Sequence, residues 1–290
     1  MTELETTLEA GGIAVYPNTE WLIDGAASEF LRTHARVAPA HKNIAYDRRT
    51  HRLTGLATDA DAVRARTMAI LEAYGRQVSD WLATRLPVYA PAWTPEQTTF
   101  RPFEEAGRAL PRRARNDLLH TDAFPSRPTG GARILRVFTN LHPTQPRRWV
   151  TGAPFHILLS ELADDPRCPR PPQRRRTTPL GARLRAAAAR AGLAFAARSA
   201  YDVFMLRFHD FLKANQDYQT RGGLQRWTFA PLSTWMVFTD SVPHAVLSGQ
   251  YAIEQTYLVP HGALVRPDLA PLTVLERHFG GPLVTPRHAQ

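Results

Sequence analysis

The sequence predicts a mainly β protein, a barrel or jelly-roll core with supporting helices. Two observations carry this. Segments of period-2 alternation fall in two blocks, residues 98–149 and 226–260, and a strongly helical stretch separates them. Strands, then helices, then strands fits a closed or sandwiched sheet better than a βαβ sheet, in which the two alternate. The 290 residues are 43% apolar and 21% charged, enough to bury a sizeable core. One domain over residues 1–290 is expected, with 164–215 as a helical insertion within it.

Residues 1–60 alternate short apolar runs with polar turns, and GGIAVYP (Gly11 to Pro17) reads as a strand entering a proline turn. Residues 61–86 carry Val63, Met68, Ile70, Leu71, Tyr74, Val78, Trp81 and Leu82 at helical spacing, an outer supporting helix. PVYAPAWTP is a proline-broken connector. LLHTDAF, the turn SRPTGG and ARILRVFTNLHP follow, and alternation puts Arg136, Phe138 and Asn140 on one face. Residues 164–179 are rich in Pro and Arg, and the helical run from Leu180 to Asn215 follows them. RWTFAPLSTWMVFTD and HAVLSGQYAIEQTYLV return to strands, and no repeat of 20 to 50 residues is present.

Composition narrows the function. Cys168 stands alone, so neither an intrachain disulfide framework nor a cysteine-rich zinc or iron–sulfur site is possible. The segment MTELETTLEAGG is acidic and shows no secretory leader, and no run of 18 apolar residues occurs. The formal charge is +10, and 34 of the 36 basic residues are Arg. A GC-rich genome favours Arg over Lys by itself, so the sign of the charge carries the inference: anionic partners. Nucleotide-binding glycine loops, GxSxG and HExxH are absent.

The tripeptide His120-Thr121-Asp122 carries the chemistry. Residues i and i+2 at the end of a strand point to the same side, so one imidazole and one carboxylate reach a common ion. A second histidine from a distant strand would complete a 2-His-1-carboxylate triad, which leaves open positions on a non-heme Fe(II). His244 is the best candidate, because it follows TDSVP and opens HAVLSGQ. HxD is a short pattern in a chain with 11 histidines, and on the motif alone a structural histidine is the default.

Longer blocks add specificity. LLHTDAFPSRPTGGARILRVFTNLHP, RSAYDVFMLRFHDFLKAN and STWMVFTDSVPHAVLSGQYAIEQTYLVP, with KNIAYD (Lys42 to Asp47) and FRPFEEAGR (Phe100 to Arg108), resemble the Kdo 3-hydroxylases. These are Fe(II)/2-oxoglutarate/O2-dependent oxygenases acting on the 3-deoxy-D-manno-oct-2-ulosonic acid (Kdo) of lipopolysaccharide. The likeness runs from about residue 40 to 262. It implies a double-stranded β-helix (jelly-roll) fold and His120, Asp122 and His244 as iron ligands. Many such enzymes place an Arg about ten residues after the distal histidine to hold the far carboxylate of 2-oxoglutarate. Here Glu254, Gln255 and Thr256 stand there, with no Arg until Arg266. The clamp is therefore expected from Arg136 and Asn140, on one strand face after the HxD, or from Arg101 before it. A guanidinium grips a carboxylate bidentately. Gln255 and Thr256 are weaker candidates as neutral donors.

Other features have plain readings. Arg207 and His209 read first as one polar helix face, with substrate binding as the alternative. Trp149, Trp227 and Trp235 read as core. Arg174, Arg175 and Arg176 read equally as a solvated loop or a contact for lipid phosphates. His34, His41 and His51 lack a carboxylate at ligand spacing.

The resemblance implies hydroxylation at carbon 3 of Kdo in the lipid A–Kdo inner core, with Fe(II), 2-oxoglutarate and O2. The partners expected are a Kdo-containing lipid A glycolipid and, peripherally, the anionic cytoplasmic face of the inner membrane; nucleic acid is not. The rivals are a 2-oxoglutarate oxygenase on another sugar or lipid, and a non-catalytic basic nucleic-acid-binding protein. The second would show clustered Lys/Arg, exposed aromatics and a binding motif, and the sequence has scattered Arg and no such motif.

Overall fold

The computed structural model describes residues 3–39, 41–172 and 198–284. Two antiparallel sheets face each other. The strands are β1 (Ala14–Tyr16), β2 (Ile44–Asp47), β3 (Arg52–Thr54), β4 (Thr94–Arg101), β5 (Arg133–Asn140), β6 (Arg147–Thr151), β7 (Gln225–Phe229), β8 (Thr234–Phe238), β9 (His244–Ser248) and β10 (Ala252–Val259). The larger sheet runs β1-β8-β5-β10-β4-β2-β3 and the smaller β7-β6-β9. A reciprocal backbone pair between His120 and His244 extends the smaller sheet on its β9 side.

Alternation sorts each central strand of the larger sheet onto two buried faces. On β5, Leu135 and Val137 point outward to a helix-covered core, and Phe138 points between the sheets. On β8, Met236 and Phe238 point outward while Trp235 and Val237 point in. A strand buried on both faces reads as a nearly continuous apolar run, as TWMVF does. Between the sheets, Phe138, Trp149, Phe229, Trp235, Val237 and Val246 close one end of the barrel.

Helices cover the outer faces. The long α3 (Asp61–Arg85) matches its sequence expectation and buries Thr67, Ile70, Leu71, Tyr74, Val78, Trp81 and Leu82 on the larger sheet. It approaches so closely at Gly75 that a β-carbon there would lie 2.6 Å from Thr98 Oγ1 and 2.7 Å from Gln255 Oε1. Two helices lie where the sequence suggested only short runs and turns, α1 (Glu3–Glu9) and α2 (Gly25–His34). Asp24 caps α2 by accepting from the Ala27 amide, the start signal that marks it.

On the other side α4 (Phe155–Leu162), α5 (Ala200–Ala214), the short α6 (Gln216–Gln219) and α7 (Pro271–Phe279) build an apolar cluster of their own. Phe204, Phe208, Phe211 and Leu212 of α5 lie in it beside Val150 and Ala245 of the smaller sheet. The described end of the expected insertion packs in this cluster. Ser199 and Asp202 form a capping box at its start. The Arg174–Arg176 cluster lies outside the described residues.

Candidate active site

A cavity of about 780 Å³ opens between β4, β10 and β5 of the larger sheet, the segment around His120, and α5. His120 and Asp122 line it, and His244 lies behind them. The backbone places all three. His120 and His244 exchange N–H···O bonds of 3.2 and 2.9 Å across their bridge, and the Asp122 amide donates to the Thr239 carbonyl at 2.7 Å. One ligand atom from each of His120, Asp122 and His244 lies within 4.8 Å of the others, and the site is buried.

The rings are set for a metal. His120 Nδ1 lies 2.7 Å from the Leu118 carbonyl and His244 Nδ1 lies 2.9 Å from the Val242 carbonyl. A carbonyl only accepts, so each Nδ1 carries the hydrogen and each Nε2 presents a lone pair. Burial, then the nearby His244, Lys213 and His209, holds His120 well below the ordinary histidine range, and burial likewise lowers His244. Both rings are therefore neutral donors at neutral pH. Burial alone would raise Asp122, but the Arg136 charge overrides it and holds the carboxyl well below its usual range. Two neutral imidazoles and one carboxylate on one side of a cavity suit a divalent iron with open positions. The Trp149 ring stacks on His244 at 5.2 Å and fixes its plane, while His209 meets His120 edge-on at 4.9 Å.

A buried charge network adjoins the triad. Arg136 donates to Asp122 Oδ2 at 2.6 Å through one terminal nitrogen and to Glu254 through the other. Arg101 donates to both oxygens of Glu254 at 3.2 and 3.3 Å, and the Thr99 hydroxyl also reaches it. Burial pushes Glu254 up and Arg101 and Arg136 pull it down further, to about 2. The buried Nε of Arg136 has no hydrogen-bond partner among the described residues.

Of the expected co-substrate residues, Arg136 and Arg101 line the cavity and Asn140 and Gln255 do not. Asn140 shares the inner face with Arg136, as alternation required, but Phe138 and the aromatic plug lie between it and the cavity. Its amide is spent on the carbonyls of Gln145, Phe229 and Ala230. Gln255 points the other way, toward α3, bonding Thr98 and the Glu96 carbonyl. Since neighbours on a strand face opposite sides, Thr256 lines the cavity and Gln255 cannot. His209 also departs from expectation: it lines the cavity, with Nδ1 2.8 Å from the Thr121 carbonyl, while Arg207 is exposed as read. Trp149 and Trp235 are core, and Trp227 is half-buried against Thr151. Sequence reading passed over Lys42 and Lys213 as site residues, although both line the cavity and they are the chain's only lysines.

A search of curated proteins finds no match. Among solved structures, the chain is similar to the apo form of the Kdo hydroxylase KdoO, a non-heme Fe(II), alpha-ketoglutarate-dependent dioxygenase. The identity is 34% and the TM-score 0.82, over 99% of this chain and 93% of that one. It is similar also to KdoO in complex with succinate and Fe(III), at 33% identity and TM-score 0.81, covering 99% and 92%. KdoO with alpha-ketoglutarate and Fe(III) matches at 32% and 0.78 over the same shares. The family model for 3-deoxy-D-manno-oct-2-ulosonic acid (Kdo) hydroxylase matches residues 1–282, and the chain belongs to that family.

Proposed function

We propose that this chain hydroxylates carbon 3 of Kdo in the lipid A–Kdo inner core, with iron held by His120, Asp122 and His244 and 2-oxoglutarate clamped by Arg136 and Arg101. Family membership makes it a Kdo hydroxylase, a non-heme dioxygenase dependent on Fe(II) and 2-oxoglutarate, the alpha-ketoglutarate of its neighbours. The carrying observation is the triad: three ligand atoms within 4.8 Å, both Nδ1 atoms turned to carbonyls, beside a cavity large enough for a sugar.

The bound metal supplies the activation of O2 that converts a C–H bond to C–OH while 2-oxoglutarate becomes succinate and CO2. The work of the side chains is binding and orientation. Arg136 holds Asp122 in place and neutralises it, and Glu254 fixes Arg136 and Arg101 in turn. The two guanidinia and the two carboxylates cancel. A dication in the triad leaves two positive charges, the complement of a dianionic 2-oxo diacid. Arg136, the edge of Arg101 turned away from Glu254 and the Thr256 hydroxyl, all on the cavity wall, are the donors proposed for its far carboxylate. Phe138, Trp149 and Trp235 close the inner end of the barrel and keep water from the reacting centre.

Among the described residues no helix is long and apolar enough to cross a membrane. The net charge of +10 supports peripheral docking on the anionic face of the inner membrane, where a lipid-linked Kdo would be presented. The direct test is mass spectrometry of Kdo-lipid A incubated with the iron-loaded protein, 2-oxoglutarate and O2. One added oxygen on the Kdo, lost when 2-oxoglutarate is omitted, is expected. Succinate formation with the glycolipid unchanged would overturn the reading.

A further inference from the structure

We propose that Lys213 and Lys42 form the site that grips the substrate's carboxylate, separate from the guanidinium clamp for the co-substrate. Basic side chains line the cavity, but most of them are already matched. Arg101 and Arg136 share Glu254, Arg113 pairs with Asp210 at 2.7 Å, and Arg127 pairs with Glu96. Neither lysine has a carboxylate within ion-pair distance among the described residues. Lys213 is 2% exposed, and its ammonium donates one hydrogen bond, to the Arg113 carbonyl at 3.0 Å. Two of its three N–H groups are left over. Lys42 stands exposed on the cavity wall without a hydrogen-bond partner among the described residues.

A buried ammonium satisfied by one neutral carbonyl is costly unless an anion completes it. Lys42 and Lys213 line the same cavity as His120 and Asp122, so the two ammonium groups act on one region of space. His209, one turn before Lys213 on α5, meets His120 edge-on at 4.9 Å, so that region adjoins the triad. In a chain that uses Arg at 34 of its 36 basic positions, both lysines fall in this cavity. A compact ammonium fits where a planar guanidinium would crowd the ligands, and its three donors adapt to a carboxylate turned by a ring.

The chemistry of the substrate completes the assignment. In a 3-deoxy-2-ulosonic acid the carboxylate is carbon 1, and the reacting methylene, carbon 3, is two bonds away. A group that holds the carboxylate therefore fixes the reacting carbon, and it must share the cavity of the triad. A lipid phosphate lies far from carbon 3 and has no such constraint. This inference rests on the Kdo reading, so its test must separate the two.

The test uses the iron- and 2-oxoglutarate-loaded protein under nitrogen. A methyl glycoside of Kdo and its carboxyl methyl ester are titrated by calorimetry into wild type, Lys42→Gln and Lys213→Met. Wild type is expected to bind the acid more tightly than the ester. Each substitution should weaken the acid by about ten- to a hundred-fold, the worth of a charged hydrogen bond, and leave the ester unchanged. The KM for 2-oxoglutarate should not move in either variant. Lys42 is exposed, so its variant keeps the test valid if Lys213→Met does not fold. Equal losses on acid and ester, or a raised KM for 2-oxoglutarate, would overturn the lysine site while Kdo turnover by wild type stands. Tight binding of inorganic phosphate in place of the acid would move the site to the lipid phosphates. Wild type that binds neither glycoside nor modifies Kdo-lipid A would overturn the Kdo reading itself.

Discussion

At the scale of single residues the candidate site is a set of paired donors and acceptors, and each pair has a test. His120→Ala, Asp122→Ala and His244→Ala should each abolish Kdo-dependent succinate formation and lower iron content, because each removes one of three ligands. A folded His244→Ala protein that keeps its iron and activity would assign the third ligand elsewhere, with His209 first in line. Arg136→Ala should raise the KM for 2-oxoglutarate well above any change for the sugar; steady-state kinetics with each substrate varied in turn decides it. Glu254 supports a third expectation, on pH. Its folded-state pKa, about 2, lies below its ordinary 4.5, so its ion pairs stabilise the fold fully above about pH 4.5. That contribution fades as pH falls toward 2. Glu254→Gln leaves Arg101 without its carboxylate and Arg136 with Asp122 alone, and breaking such a buried pair typically costs about 3–5 kcal/mol. The gap in melting temperature between wild type and variant should therefore be wide at pH 7 and close as the medium is acidified. That His120, Asp122 and His244 meet was legible from HxD, a strand-opening histidine and the family resemblance together. Which of the expected clamp residues face the cavity was only half legible, because alternation gives the face of Asn140 and not its depth, and the aromatic plug that separates it from the cavity comes from β6, β7 and β8.

At the scale of elements, periodicity revealed what was long and hid what was short. The α3 stripe and strands β5, β8 and β10 each carry enough alternation to be recognised, and of these β5 and β10 line the cavity, with Arg136, Glu254 and Thr256. Helices α1 and α2 are 7 and 10 residues long, and their apolar faces span too few turns to stand out from polar loops. The role of α5 was not legible either, since its packing partners β6 and β9 are distant in sequence. Gly75 shows what close helix–sheet packing requires. A β-carbon there must displace Thr98 or Gln255, which bond each other at 2.5 Å. Gly75→Ala gains helix propensity but overpacks this contact, and it should destabilise the protein by about 1–3 kcal/mol. Denaturant unfolding measures it, and a stabilised variant would show that the helix shifts freely on the sheet.

At the scale of the whole molecule, a protein with no membrane-crossing helix among its described residues would need another way to reach the lipid-linked Kdo proposed as its substrate. The charge of +10 gives a physical answer. Each basic residue near an anionic surface adds about 1 kcal/mol of attraction, and that attraction is screened over about 8 Å at physiological ionic strength. Binding to vesicles containing acidic lipid should therefore be measurable at low salt and fall steeply as salt is added, while neutral vesicles should bind little. Arg174, Arg175 and Arg176 form a run of basic residues in the sequence, and converting all three to Gln removes three of its 36 basic charges. If that run helps to dock the protein, the variant should lose vesicle affinity and turnover on Kdo-lipid A in vesicles. Its turnover on a soluble Kdo fragment should stay near the wild-type rate if docking is the only role of the run. Sedimentation of the protein with vesicles across a salt series gives the first comparison, and parallel assays on the two substrates give the second. Binding that ignores salt would point to an apolar anchor instead. Equal losses on the soluble and membrane-bound substrates would place the three arginines in the service of the fold rather than of the membrane.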